Sequence, residues 1–156
     1  MLVHWVIRVV SEIRSIRAEM NVPAGARIKL CVRDANKTTL GRLEANGDAL
    51  MTLARLERIS PAGTTPKGSV QFVLDEATFA LPLEGVIDIA SETGRLTREI
   101  AKAGSEIAQL EAKLANENFT SRAPAHVVDE QRQRKADAEA VAAKLNDALK
   151  RLEAAS

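Results

Sequence analysis

Two long apolar repeats, one on each side of a proline-containing break, constrain this chain more than any other feature. Before the break, Thr93, Leu96, Ile100, Ala103, Ile107, Leu110 and Leu114 recur at alternating steps of three and four. After it, Val128, Gln131, Lys135, Ala138, Ala142, Leu145, Leu149 and Leu152 do the same. That step is the seam of a coiled coil. Residues 116–128, Asn-Glu-Asn-Phe-Thr-Ser-Arg-Ala-Pro-Ala-His-Val-Val, interrupt both repeats. Two such helices joined by a short turn at Pro124 fold back on each other. The expectation is an antiparallel hairpin with its tip near Ser121, the first helix reaching about Asn118 and the second running from about Ala125 to Glu153. At 1.5 Å per residue each helix is about 45 Å long, and facing positions have numbers that sum to roughly 243. The seam weakens outward, because Gln131 and Lys135 fall on it and alanine fills two further positions. Gly104 costs the first helix up to about 1 kcal/mol relative to alanine.

Upstream of the hairpin the pattern changes. Leu2, Val6, Val9, Ile13, Ile16 and Met20 form one apolar stripe, thickened by Trp5 and Val10, on an amphipathic helix that stops before Pro23-Ala24-Gly25. A chain that opens directly in a helix suggests a piece of something longer. Residues 27–33 read as a strand, and Asn36 to Leu56 as a helix, either continuous or broken near Asn46-Gly47, with Leu40, Leu43, Leu50, Leu53, Ala54 and Leu56 as its buried face. Arg58 to Ser60 is a short strand, 61–69 a loop, and Val70–Leu74 with Thr78–Leu81 a hairpin across Asp75-Glu76-Ala77. Pro82 to Gly85 is a joint, and Asp88 a helix N-cap. The fold class expected is α+β: a small α/β unit with an N-terminal helix, followed by a long antiparallel coiled-coil hairpin. Residues 1–22, 23–86 and 87–156 are the corresponding domains.

Composition narrows the function classes. The formal charge of the chain is +1, so no strongly basic nucleic-acid module is expected and any RNA contact must be local. The lone Cys31 excludes an intrachain disulfide and reads as a small core residue. Arg8, Glu12, Arg14 and Arg17 in the first helix argue against a membrane span or a cleavable leader. No catalytic constellation stands out. His4 and His126 lack metal-ligand company, and the run from Gly63 to Gly68 lacks the phosphate-loop form. No catalytic residue, metal ligand or cofactor is therefore expected in the chain.

The residues at the break carry a resemblance. Lys113-Leu114-Ala115-Asn116-Glu117-Asn118-Phe119, Arg122-Ala123-Pro124, Val127-Val128 and Glu130-Gln131-Arg132 are similar to the C-terminal arm of the valyl-tRNA synthetases. Trp5-Val6-Ile7 and Ser11 to Val22 resemble the end of that family's anticodon-binding domain, and the likeness runs in order from about residue 3 to 152. It implies a non-catalytic C-terminal fragment of an ATP-dependent valine–tRNA ligase, ATP being the parent's cofactor. The arm would bind the outer corner of tRNA(Val) and aid aminoacylation. The implied partners are that tRNA and the upstream domains of the same polypeptide, without a membrane, in the cytoplasm. Weak self-association through the apolar stripe Leu2 to Met20 is a further expectation. A protein-interaction or chaperone-like coiled-coil module, or the arm of a ribosome-associated ATPase, would share the hairpin but not the likeness at residues 5–22.

Candidate RNA contacts fall in clusters. Arg95, Arg98 and Lys102 lie at i, i+3 and i+7, on one helix face. Arg132, Arg134 and Lys135 form a second group, level with Glu111 and Lys113 across the hairpin, and Lys113 completes the set. Taken alone, such charges read as a solvated face with interspersed acids. The resemblance turns them toward the phosphates of a tRNA elbow. Phe119 is expected to close the turn against Pro124 or Val128, or to stack on RNA.

Overall fold

The computed structural model describes residues 2–61 and 63–155, excluding the side chain of Leu2, so that residue's part in the stripe lies outside the described residues. Contacts divide the chain into two compact units, Met1–Glu92 with Lys150–Ser156, and Thr93–Leu149.

The first unit is built on helix α1 (Leu2–Glu19), strand β1 (Ile28–Arg33), helix α2 (Lys37–Ala54) and strands β2 (Leu56–Pro61), β3 (Ser69–Leu74) and β4 (Ala77–Pro82). The strands form one sheet in the order β2-β1-β4-β3. β1 and β2 are parallel and need the α2 crossover between them, whereas β4 runs antiparallel to both its neighbours. Alternation along β1 buries Ile28, Leu30 and Val32 and leaves Lys29, Cys31 and Arg33 on the opposite face. Val32 pairs with Phe79, which pairs with Phe72, so the aromatic rings share the buried face; they stack with centroids 4.9 Å apart. α1 packs beside α2 and β3. Its stripe is inside, with Val9, Ile13, Ile16 and Met20 at 0 % exposure and Trp5 at 2 %. Burying each of these side chains contributes about 1.5–3 kcal/mol, which is why the stripe closes on its own unit. Val3 and Ile7, off the stripe, stay exposed.

α2 is continuous through Asn46-Gly47. Asn46 turns its amide back to the Arg42 carbonyl (2.9 Å), and Gly47 stays helical between the buried Leu43 and Leu50. Leu40 and Leu53 are exposed rather than buried, and Leu56 belongs to β2; the buried face of α2 is Thr39, Leu43, Leu50 and Ala54. α1 ends before Pro23, as expected. Asn21 takes the left-handed backbone (φ 54°), and the Val22 amide donates to the Arg17 carbonyl at 2.9 Å.

The second unit holds most of helix α3 (Ile89–Ala115), the short α4 (Glu117–Arg122) and most of α5 (Ala125–Ala155). Asp88 caps α3 through its Oδ1, which accepts from the Ser91 amide at 3.0 Å. Every position of both seams from Thr93 to Leu152 is buried or half-buried. Ion pairs cross from α5 to α3 at Arg134–Glu106 (3.8 Å) and Lys135–Glu111 (3.7 Å), bracketing the expected antiparallel register. The first arm helix does not reach Asn118. It ends at Ala115 because the Asn116 side chain accepts from the Asn118 amide (3.0 Å) and starts α4 instead. Ala123, ahead of Pro124, is held extended at ψ 146°, as a residue before proline must be.

Candidate nucleic-acid interface

Of the basic side chains on the inner half of α3, Arg98 and Lys102 are exposed, and no ion pair among the described residues holds either one. Arg95, on the same face, is half-buried and is not free. The α5 group is differently placed. Arg132 reaches back to Asp129 (3.3 Å), Arg134 to Glu106, and Lys135 to both Glu111 and Glu139 (3.7 and 3.5 Å). Lys113 lies over the Phe119 ring, its Nζ 4.8 Å from the centroid. The seven residues singled out from sequence therefore do not make one patch. They comprise an open pair, a group already facing carboxylates, and a cation resting on the aromatic ring near the tip.

These states differ in what they offer an anion. An exposed pair such as Arg132–Asp129 is worth about 0–1 kcal/mol, so its guanidinium can exchange a carboxylate for a phosphate at little cost. Phosphates accept two parallel N–H bonds from a guanidinium, the geometry that favours arginine here. The Lys113–Phe119 contact is one that the sequence did not suggest for Phe119. The two residues are joined across Asn116, whose cap bends the chain so that the ring comes under the ammonium. That Asn, three positions before a Phe and three after a Lys, was the available signal.

The loops of the first unit are tied down by buried and charged side chains. Glu76 at the β3–β4 turn accepts from the Asn36 amide (3.0 Å) and from the Thr39 hydroxyl (2.9 and 3.0 Å), tying the turn to the start of α2. The Asn36 amide bond is the leading cause that holds the Glu76 carboxyl below its ordinary range. Arg17 is buried and donates to the carbonyls of Pro23 (2.9 Å), Ala26 (2.8 Å), Ala24 and Arg55 (both 3.5 Å). Burial first, and then the nearby Arg55 charge, lowers its pKa. These bonds secure the segment linking α1 to β1. Among the described residues no group of three His, Cys, Asp or Glu side chains is placed to hold a metal ion, and no helix is long and apolar enough to cross a membrane. A groove of about 630 Å³ between α2 and β2 is lined by Leu40, Glu44, Asp48, Met51 and Ile59 among others, without a nucleophile and base side by side.

Residues 88–153 match the family described as "Valyl tRNA synthetase tRNA binding arm". The valine–tRNA ligase of Caulobacter vibrioides is 47 % identical over 148 residues, 95 % of this chain and 16 % of that protein. Those of Mesorhizobium japonicum and Granulibacter bethesdensis are 46 % and 45 % identical over 150 and 151 residues, each 96 % of this chain and 16 % and 17 % of the relative. The chain thus spans about a sixth of the length of the curated relatives it matches.

Proposed function

Since this chain is similar along nearly its whole length to the C-terminal region of the valyl-tRNA synthetases, we propose that it holds tRNA for an enzyme whose chemistry occurs in other domains. The observation that carries the proposal is the match of the tRNA binding arm to residues 88–153, where an antiparallel helix pair displays the basic side chains described above. The arm grips the outer corner of tRNA(Val), and the contact positions the acceptor end for charging. Arg98 and Lys102 make the first contacts, supported by Arg95. Arg132, Arg134 and Lys135 exchange carboxylates for phosphates on binding, and Lys113 acts near the tip. In the parent enzyme, valine is activated with ATP in upstream domains, and the protein works in the cytoplasm. Residues 1–22 form the last helix of the anticodon-binding domain, 23–86 aim the arm, and 87–156 are the arm. Among the described side chains of α1, Val3 and Ile7 are the large apolar ones left exposed for upstream domains or for weak self-association.

The test is a parent enzyme lacking residues 88–156. Valine-dependent pyrophosphate exchange is expected to stay near the intact level, while kcat/KM for tRNA charging falls at least tenfold. If charging falls only in step with activation, the arm is a brace. If neither changes, the RNA-binding reading fails and a protein-interaction module takes its place.

A further inference from the structure

The sheet of the first unit buries one face, with Ile28, Leu30, Val32, Phe72 and Phe79, and leaves much of the other uncovered, Ser69 and Ala80 excepted. Partners in register share a face, so the uncovered side carries rows that include Lys29 with Arg58, Cys31 with Ala80, and Arg33 with Thr78. Lys29 and Arg58 are exposed, and Cys31, Arg33 and Thr78 half-buried. None of the strand positions on this face is an Asp or a Glu. Carboxylates stand at its margin, where Arg58 lines the α2–β2 groove together with Glu44, Asp48 and Glu57. Asp34, just past the end of β1, lies 3.6 Å from the Arg33 Nε, and Glu57 is the extra residue where the β1–β2 register shifts. Lys29 and Arg58 have no ion-pair partner among the described residues.

We infer that this open face is a second RNA contact, in which Lys29, Arg58 and Arg33 hold the phosphodiester backbone. The inference rests on the reading that the chain binds tRNA. Three features favour RNA backbone over other occupants. Lys29 and Arg58 carry no ion pair among the described residues and Arg33 has only the exposed Asp34 beside it (3.6 Å), which leaves their charge available to a polyanion. Small residues, the half-buried Cys31 and Ser60 and the buried Ala80, keep the middle row low, so a backbone can approach over Cys31 and Ser60, with the Ser60 and Thr78 hydroxyls as further donors. Both phenylalanines of the sheet lie on the covered side, so bases have no ring to stack on and the contact reads phosphates rather than sequence. A protein partner would want a buried apolar or aromatic anchor, and Val73 is the single large aliphatic side chain on this face.

The test uses the complete chain and a valine tRNA transcript. Cys31, the chain's single cysteine, stands in the middle row and serves as a built-in probe. Saturating tRNA at low salt is expected to slow its alkylation by maleimide at least threefold, and high salt to restore the rate. Separately, Lys29→Gln with Arg58→Gln is expected to weaken binding about tenfold and to flatten the slope of log K against log salt by about 1.4–1.8, at 0.7–0.9 per lost contact. Arg98→Gln with Lys102→Gln provides the comparison for the arm. If Cys31 stays unprotected and K29Q/R58Q binds like the unaltered chain while the arm variant weakens, the sheet contact is overturned and the arm reading stands. Protection of Cys31 with an arm variant that binds normally overturns the arm reading instead. No tRNA binding at all removes both. Protection by polyglutamate but not by RNA assigns the face to an acidic protein and overturns the inference.

Discussion

Two single residues, Gly68 and Glu76, hold the first unit's loops in place by opposite means, one through backbone freedom and the other through charge. Gly68 sits at φ +75°, and a Cβ there would lie 2.7 Å from the Glu84 Cβ. Its carbonyl accepts from the Leu83 amide at 2.9 Å, which fixes the chain where it leaves β4. Gly68→Ala should therefore cost about 1–3 kcal/mol, combining left-handed strain with a backbone shift. Gly47 gives the contrast, since it is helical with open space around its Cβ position. Gly47→Ala should stabilise by about 0.5–1 kcal/mol. Thermal melts of the two variants check the pair, and equal effects would contradict the role assigned to Gly68. Glu76 acts through its ionised carboxylate. Its folded-state pKa is lowered from the ordinary 4.5, so the ionised form stabilises the fold above that value. The contribution is lost as pH falls from 4.5 through the lower folded value. Glu76→Gln should lower Tm at pH 7, and the gap from the unaltered chain should close toward pH 3. A gap that is constant with pH would show that shape, not charge, matters at this turn.

At the scale of elements, the sequence carried most of the arm and missed its end. The three-and-four spacing marks the seam because it is a direct record of which face is dry, and Thr93 to Leu114 and Val128 to Leu152 are accordingly buried or half-buried throughout. The helix end depended on a competition that spacing does not register. The Asn116 side chain can cap a new helix, and that cap ended α3 at Ala115. The same limit explains α2, where spacing left a break at Asn46-Gly47 open and packing of Leu43 and Leu50 carried the helix through. Of the site, the charged residues were readable and their partners were not, since Arg134–Glu106 and Lys135–Glu111 exist only once the hairpin has its register. The basic alternation of Lys29 and Arg33 about Cys31 was visible in the strand, but which face lay open depended on where α1 and α2 pack. The register itself has a direct test. Ala103 and Ala138 are both 8 % exposed and line one cavity with Glu106 and Arg134. With Cys31 replaced by serine, cysteines at 103 and 138 should form a disulfide under mild oxidation. Cysteines at 103 and 128 should not, because ten residues along α5 is about 15 Å. Equal oxidation of both pairs would refute the register.

For the whole molecule, the near-neutral charge of +1 makes salt dependence the sharpest reporter of how it holds RNA. A cation without a carboxylate partner displaces condensed counterions from the RNA when it meets a phosphate, and contributes about 0.7–0.9 to the slope of log K against log salt. A cation already facing a carboxylate changes one anion for another, and the abandoned carboxylate recruits a cation from solution, so much of the release cancels. Arg98 and Lys102 belong to the first kind, and Arg132, Arg134 and Lys135 to the second. Fluorescence anisotropy of labelled valine tRNA, titrated with the chain between about 50 and 300 mM salt, separates them. Arg98→Gln with Lys102→Gln should lower the slope by about 1.4–1.8. Arg132→Gln, Arg134→Gln and Lys135→Gln together should weaken binding at every salt concentration while moving the slope by less than about 1, although this variant removes three charges rather than two. If the three-residue variant flattens the slope more than the two-residue one, the α5 cations meet the RNA unencumbered, and the distinction drawn from their ion pairs is wrong.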